Sequence, residues 1–132
     1  MTRIGCDIVE ICRIKAAVER HGRFLQRVYS PAEIEECYRK ANPWASLAAR
    51  FAAKEAVIKA LPAGIPIALN EIEIVRSAGE KPQVHFLGST AQRLAQVGAW
   101  AWSLSLSHER THAMAMVLAC PVDEGRNDSC SS

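Results

Sequence analysis

Arg50-Phe51-Ala52-Ala53-Lys54-Glu55-Ala56-Val57-Ile58-Lys59-Ala60 is the stretch that decides how this chain is read. It lies inside a longer segment, from about Ala45 to Leu61, that is rich in Ala, Leu, Lys and Glu and has no internal Gly or Pro. That composition predicts a helix. At about 100° per residue, Leu47, Phe51, Ile58 and Leu61 fall on one narrow face, and Glu55 falls among them. A carboxylate on an apolar face is costly unless a cation or hydrogen-bond donors compensate it. A positive group is therefore expected opposite Glu55.

Outward from this helix, Ile4 to Ile11 reads as an opening strand, with Ile4, Cys6 and Ile8 on one face and Gly5, Asp7 and Val9 on the other. Arg13 to about Tyr29 is helical in pattern, with Gly22 as a possible break. Ser30-Pro31-Ala32-Glu33 combines an N-cap residue, a proline at the first helical position and a glutamate three residues on, which predicts a new helix. That helix is expected to stop near Asn42-Pro43. The second half changes character. Glu71–Val75 and Gln83–Leu87 alternate as strands, separated by the Ala78–Pro82 turn. Ser89 is placed to cap a short helix, with Gln92 completing a capping box and Gly98 ending it. Ser103–Ser107 and Ala113–Ala119 follow as strands around a polar turn, His108–His112. The expected fold class is α+β, with helices packed on an antiparallel sheet.

At 132 residues the chain is expected to form one domain over residues 1–120, followed by a small, polar and disordered tail over 121–132. An apolar content of 49% and a charged content of 23% are those of a soluble globule. The net charge of +2 gives no global attraction to nucleic acid or membrane. No basic-then-apolar leader and no membrane-length apolar run is present. Five cysteines, an odd number without a CxxC pair, argue against a zinc site and against a complete disulfide framework. The expected location is the cytoplasm.

Asp7 is a second acid out of place, since aspartate is disfavoured in strands. Two such acids, one on a strand and one on a helix, point to a shared hard cation. Mg²⁺ commonly takes one or two protein carboxylates and completes its shell with water and phosphate oxygens. Lys59, one turn after Glu55, can reach the same phosphates. The competing reading is structural: Glu55 and Lys59 form an i,i+4 ion pair, and Asp7 marks an exposed strand end.

Three blocks now carry a resemblance. Ile4-Gly5-Cys6-Asp7-Ile8-Val9-Glu10-Ile11-Cys12-Arg13-Ile14 resembles the opening motif, G-x-D then R-I, of bacterial holo-[acyl-carrier-protein] synthases, the small phosphopantetheinyl transferases. Arg50 to Ala60 is similar to their second motif, R-F-A-x-K-E-A-x-x-K-A. Ser105-Leu106-Ser107-His108 with Ala113 and Ala115 is similar to their third. Gly79 to Pro82 resembles a variant of their G-K-P turn. The likeness runs from about Arg3 to Leu118, with order and spacing kept.

The resemblance implies a phosphopantetheinyl transferase-like fold and a defined reaction. The 4′-phosphopantetheine arm of coenzyme A is moved to a serine of apo acyl carrier protein in fatty acid biosynthesis, releasing 3′,5′-ADP. Asp7 and Glu55 stand at the family's Mg²⁺ ligand positions, and Lys59 would add a point charge on the same phosphates. With Asp7, Glu55 and Lys59 as the catalytic set, the base for the serine is either Glu55 or a metal-bound water. His108 and Arg50 become candidate contacts to coenzyme A phosphates, the latter across a subunit boundary; their plain alternatives are a turn donor and a solvated helix face. Lys54 is the weakest candidate, because exposed lysines are common on helices. Family members are typically homotrimers with sites between subunits, and unpaired apolar strands such as Ala113–Ala119 are expected to supply the contact.

Arg13, Arg20, Arg23 and Arg27 fall within about 80° of one another if the first helical segment is continuous. Arg13 and Arg20 are the expected docking pair for an acidic carrier protein. Three positions depart from the family pattern: Cys6, read as a small buried hydrophobe, His112 in place of an aromatic, and the Pro62–Ala68 loop. A serine hydrolase built on Ser105, Ser107 and His108 lacks the Gly-x-Ser-x-Gly elbow. The remaining alternative is a non-catalytic module of the same fold that binds coenzyme A or a carrier protein. Retention of Asp7, Glu55 and Lys59 weighs against it.

Overall fold

The computed structural model describes residues 1–122; the expected tail lies, from residue 123 on, outside the described residues. The chain runs β1 (Arg3–Glu10), α1 (Ile11–Arg20), α2 (Phe24–Val28), α3 (Pro31–Tyr38), α4 (Trp44–Ala60), a 3-10 turn (Leu69–Glu71), β2 (Ile72–Val75), β3 (Gln83–Phe86), α5 (Gly88–Val97), β4 (Trp100–His108) and β5 (His112–Pro121). The α+β expectation holds. One antiparallel sheet has the order β1-β5-β4, and β2 with β3 forms a separate antiparallel pair. Among the described residues no helix is long and apolar enough to cross a membrane.

Helix α4 is the pillar of the fold. Ala52, Ala53, Ala56 and Ala60 are buried, and residues this small let the helix lie close against the sheet. With Val57 and Leu61 they pack into Ile72, Ile74, Leu94, Leu104, Val117 and Ala119. The front half of α4, through Leu47, Ala48 and Ala49, packs instead with Ile14, Val28, Tyr29 and Cys37. The helix is thus covered on nearly every side. The stripe that holds Phe51, Glu55 and Ile58 is only half-buried, whereas the alanine side is the deepest.

Lys54 corrects the expectation of an exposed lysine: its side chain is 0% exposed. Its ammonium donates to Glu33 Oε1 at 2.6 Å, to the Leu69 carbonyl at 2.9 Å and to the Ile72 carbonyl. Burial still pushes the Lys54 amine below its ordinary value, against the pull of Glu33. The Glu33 carboxylate also accepts from Ser30 N at 2.9 Å and Ile74 N at 3.0 Å. The capping box at Ser30 forms as its sequence predicts, and the same glutamate joins α3 to β2 and α4.

Several boundaries differ from expectation for identifiable reasons. His21-Gly22-Arg23 separates α1 from α2, so Arg13 and Arg20 stay together on α1 while Arg27 is carried off on α2. Helix α3 ends at Tyr38, and Asn42 Oδ1 accepts from Trp44 N at 3.2 Å to open α4. Helix α5 does not use Ser89 as its cap. The Glu71 carboxylate, brought from the 3-10 turn, accepts from Ser89 N at 3.2 Å, Thr90 N at 3.1 Å and Thr90 Oγ1 at 2.7 Å. At the turn near His112, Glu109 Oε1 accepts from Thr111 N at 2.8 Å and His112 N at 2.7 Å, so a carboxylate holds the turn without an aromatic.

Strand β5 is the central strand of its sheet and has no unpaired edge, which corrects the expectation for Ala113–Ala119. What it leaves open is a face. Ile4 and Ile8 of β1 and Met114, Met116 and Leu118 of β5 are 41% to 65% exposed on one side of the sheet. Cys6, opposite Met116, is exposed there too, contrary to its reading as a buried hydrophobe. The alternation of β1 holds, with Gly5, Asp7 and Val9 as the inward face.

Candidate active site

The inward face of β1 carries Asp7 onto α4. Asp7 pairs with Ala115 within the sheet, and its side chain is 18% exposed, so it is not a loose strand end. Lys59 Nζ donates to Asp7 Oδ1 at 2.9 Å and to the Cys6 carbonyl at 3.0 Å. The i,i+4 ion pair between Glu55 and Lys59 is therefore not the arrangement found. The lysine goes to the strand instead. Its amine is raised above the ordinary value, first by that hydrogen bond and then by the charge of Asp7.

Glu55 lies one turn before Lys59 and is half-buried. Burial pushes its carboxyl up, the negative charge of Asp7 pushes it further, and Lys59 opposes both. Among the described residues no donor hydrogen-bonds to it. Two carboxylates thus repel one another beside a single ammonium that is committed to Asp7. Such a site lacks one positive charge. Among the described residues there is no cluster of three or more His, Cys, Asp or Glu side chains able to hold a metal. A zinc-like cage is thereby absent from these residues, while two carboxylates suit Mg²⁺, which keeps water and substrate phosphates in its shell. The donor set fits the expected cation.

Arg50 and His108 come together elsewhere. They line a cavity of about 70 Å³ with Glu36, Lys40, Ser46, Ala49, Arg76 and Leu106. The solvated helix face offered for Arg50 is overturned, since the residue is 5% exposed. Arg50 Nη2 lies 3.1 Å from Glu36 Oε1, and Nη1 donates to Cys37 Sγ at 3.2 Å. Its Nε is buried and finds no partner among the described residues. A buried donor without an acceptor is costly, and an anion in the cavity would satisfy it. The cations Lys40, Arg50 and Arg76 outnumber Glu36, so the cavity favours negative charge. Next to it opens a pocket of about 950 Å³, lined by Glu36, Arg39, Lys40, the 75–82 loop and Leu104–Leu106.

From Arg50 to Glu55 the helix turns by about 140° and rises about 7.5 Å, which puts the anion cavity and the carboxylate pair on different faces of α4. Arg13 and Arg20 are exposed on α1, as a docking pair requires. Lys40, Arg76, Ser46 and Glu36 escaped the reading of the sequence. They lie in two helices and two loops with no shared spacing, and only the turn at Gly79–Pro82 pointed to that region.

Comparison with known proteins gives the family and the fold. Residues 3–117 match the family described as the 4′-phosphopantetheinyl transferase superfamily. The chain is 43% identical over 119 residues to a holo-[acyl-carrier-protein] synthase of Moorella thermoacetica, covering 89% of this chain and 93% of that one. It is 46% identical over 120 residues to one of Dehalococcoides mccartyi, covering 90% and 98%. Its fold is similar to an acyl carrier protein synthase–coenzyme A complex from "Chronobacterium ammoniagenes", with a TM-score of 0.83 and 28% identity over 93% of this chain and 99% of that one. A Helicobacter pylori holo-[acyl-carrier-protein] synthase in complex with coenzyme A gives a TM-score of 0.72 at 35% identity, covering 88% and 98%. The chain belongs to the holo-[acyl-carrier-protein] synthase family of the 4′-phosphopantetheinyl transferase superfamily, and it is an enzyme of that family.

Proposed function

We propose that this protein transfers 4′-phosphopantetheine from coenzyme A to a serine of apo acyl carrier protein, releasing 3′,5′-ADP, with Mg²⁺ held by Asp7 and Glu55. The observation that carries the reading is the repelling carboxylate pair beside Lys59, a site short of one positive charge. The cation would neutralise charge on the coenzyme A pyrophosphate as the leaving phosphate develops it. Lys59 is exposed enough to turn its ammonium from Asp7 toward the same phosphates. The serine oxygen forms a new bond to phosphorus, the bond to the 3′,5′-ADP oxygen breaks, and the serine proton leaves. A Glu55 carboxylate oxygen that the cation leaves free would accept that proton.

The anion cavity is the proposed seat of another phosphate of coenzyme A, held by Arg50 and His108. The neighbouring pocket is of a size that accepts a nucleoside. Since the cavity and the carboxylate pair face different ways in one chain, a site shared between subunits accounts for both. The exposed face of Ile4, Ile8, Met114, Met116 and Leu118 is the proposed contact of a homotrimer. Arg13 and Arg20 would dock the acidic carrier protein, and the setting is cytoplasmic fatty acid biosynthesis. The test is the small product. With apo carrier protein, coenzyme A and Mg²⁺, chromatography should detect 3′,5′-ADP in proportion to the carrier consumed. Its absence would overturn the reading.

A further inference from the structure

Strand β1 and helix α4 meet backbone to backbone at Gly5. A Cβ at this position would lie 1.9 Å from the Ala56 carbonyl oxygen, 2.9 Å from its carbonyl carbon and 3.1 Å from Ala60 N. These are helix backbone atoms, which cannot rotate aside as a side chain can. Gly5 lies in ordinary strand conformation, so an alanine would suit its dihedral angles and fail only for want of space.

The same seam carries the carboxylate pair. Arg3 Nε donates to the Ala60 carbonyl at 2.5 Å, and Lys59 Nζ bonds Cys6 O and Asp7 Oδ1. Asp7 is two residues beyond Gly5 on the same strand face. Glu55 directly precedes Ala56, and Lys59 directly precedes Ala60. The point of closest approach is thus one residue from Glu55 and two from Asp7.

We propose that Gly5 is a positioning residue for the cation site: its missing Cβ sets the spacing of β1 and α4 at which Asp7 and Glu55 hold one divalent cation together. The inference rests on the reading of those two acids as a cation site. Opening the 1.9 Å contact to an ordinary 3.4 Å needs about 1.5 Å of separation. Mg²⁺ requires oxygens at about 2.0–2.1 Å in near-octahedral geometry, so a shift of that size removes one direct ligand.

The test is Mn²⁺ uptake by the full chain, followed by the electron paramagnetic resonance of free Mn²⁺, with coenzyme A affinity measured separately in EDTA. Gly5→Ala should weaken Mn²⁺ binding about tenfold or more, while coenzyme A binding without metal changes by less than about twofold. Arg3→Met relaxes the same seam without overpacking it and should weaken Mn²⁺ binding in the same direction by a smaller factor. This second variant decides the matter if Gly5→Ala does not fold. Ile72→Val, a core change in β2, should lower the melting temperature and leave Mn²⁺ uptake unchanged. Parental Mn²⁺ affinity in a folded Gly5→Ala chain, or in Arg3→Met where Gly5→Ala is unfolded, overturns the proposal. So does equal weakening in Ile72→Val, which would make the effect one of general stability. A parent chain that takes up no Mn²⁺ overturns the cation site and the positioning role together.

Discussion

Lys59 Nζ lies 2.9 Å from Asp7 Oδ1, joining α4 to β1 across 52 residues of chain, and leaves the nearer acid Glu55 without a hydrogen bond among the described residues. Helical spacing alone favours the opposite pairing. The inward aim of Asp7 decides it. Strand alternation places Asp7 on the α4 side of the sheet, within hydrogen-bond reach of the lysine.

On the proposed function, Lys59 exchanges its bond to Asp7 for one to the substrate phosphates. Lys59→Met should lower kcat by about a hundredfold, the usual cost of losing one preorganised charge on a phosphoryl group. Apo protein stability should change little, because an exposed ion pair contributes little. Steady-state kinetics and thermal melts on the same samples check both halves.

Glu55 should show a stability cost with a definite pH window. Its folded carboxyl is raised above the ordinary value of 4.5. A raised acid favours the folded state below the unfolded value, and the advantage is lost as pH rises through the folded value. Metal-free protein should therefore gain stability from Glu55→Gln at pH 7 and not at pH 4, while transfer activity falls sharply. Melting curves at the two pH values read the difference. Equal effects at both would contradict the proposed environment of Glu55.

Lys54 and Glu33 form a buried pair whose halves depend on each other. Lys54→Met or Glu33→Gln alone should cost about 3–5 kcal/mol, because each leaves a buried partner uncompensated. The double variant should cost less than the sum of the two. Urea unfolding of the three variants measures the coupling.

Arg13 and Arg20 should govern the carrier protein alone. Reversing both charges should raise the Michaelis constant for the carrier and leave that for coenzyme A nearly unchanged. A parallel rise in both would remove α1 from the docking surface.

Much of this was legible in the chain. The Ser30–Glu33 capping box, the span of helix α4, the break at Gly22 and the two late strands all follow from local spacing and turn chemistry. Asp7 and Glu55 stood out because each violates a local rule, and functional sites are where such violations concentrate. What was hidden depends on long-range contact. Lys54 reads as an ordinary helical lysine until Glu33 and two carbonyls from distant segments close around it. The Glu71 cap on α5 comes from the turn before β2, so no capping pattern near Ser89 could reveal it. The exposed side of the sheet was hidden for a simpler reason: alternation tells that Ile4, Cys6 and Ile8 share a face, and not which face the helix covers.

The central claim is cation-dependent transfer at Asp7 and Glu55. Its most direct test is the intact mass of apo acyl carrier protein after incubation with this protein, coenzyme A and Mg²⁺, with EDTA and Glu55→Gln as parallel samples. The account predicts a gain of one phosphopantetheine arm that disappears with EDTA and is lost or strongly slowed with Glu55→Gln. A carrier that gains the arm equally in all three samples would contradict it.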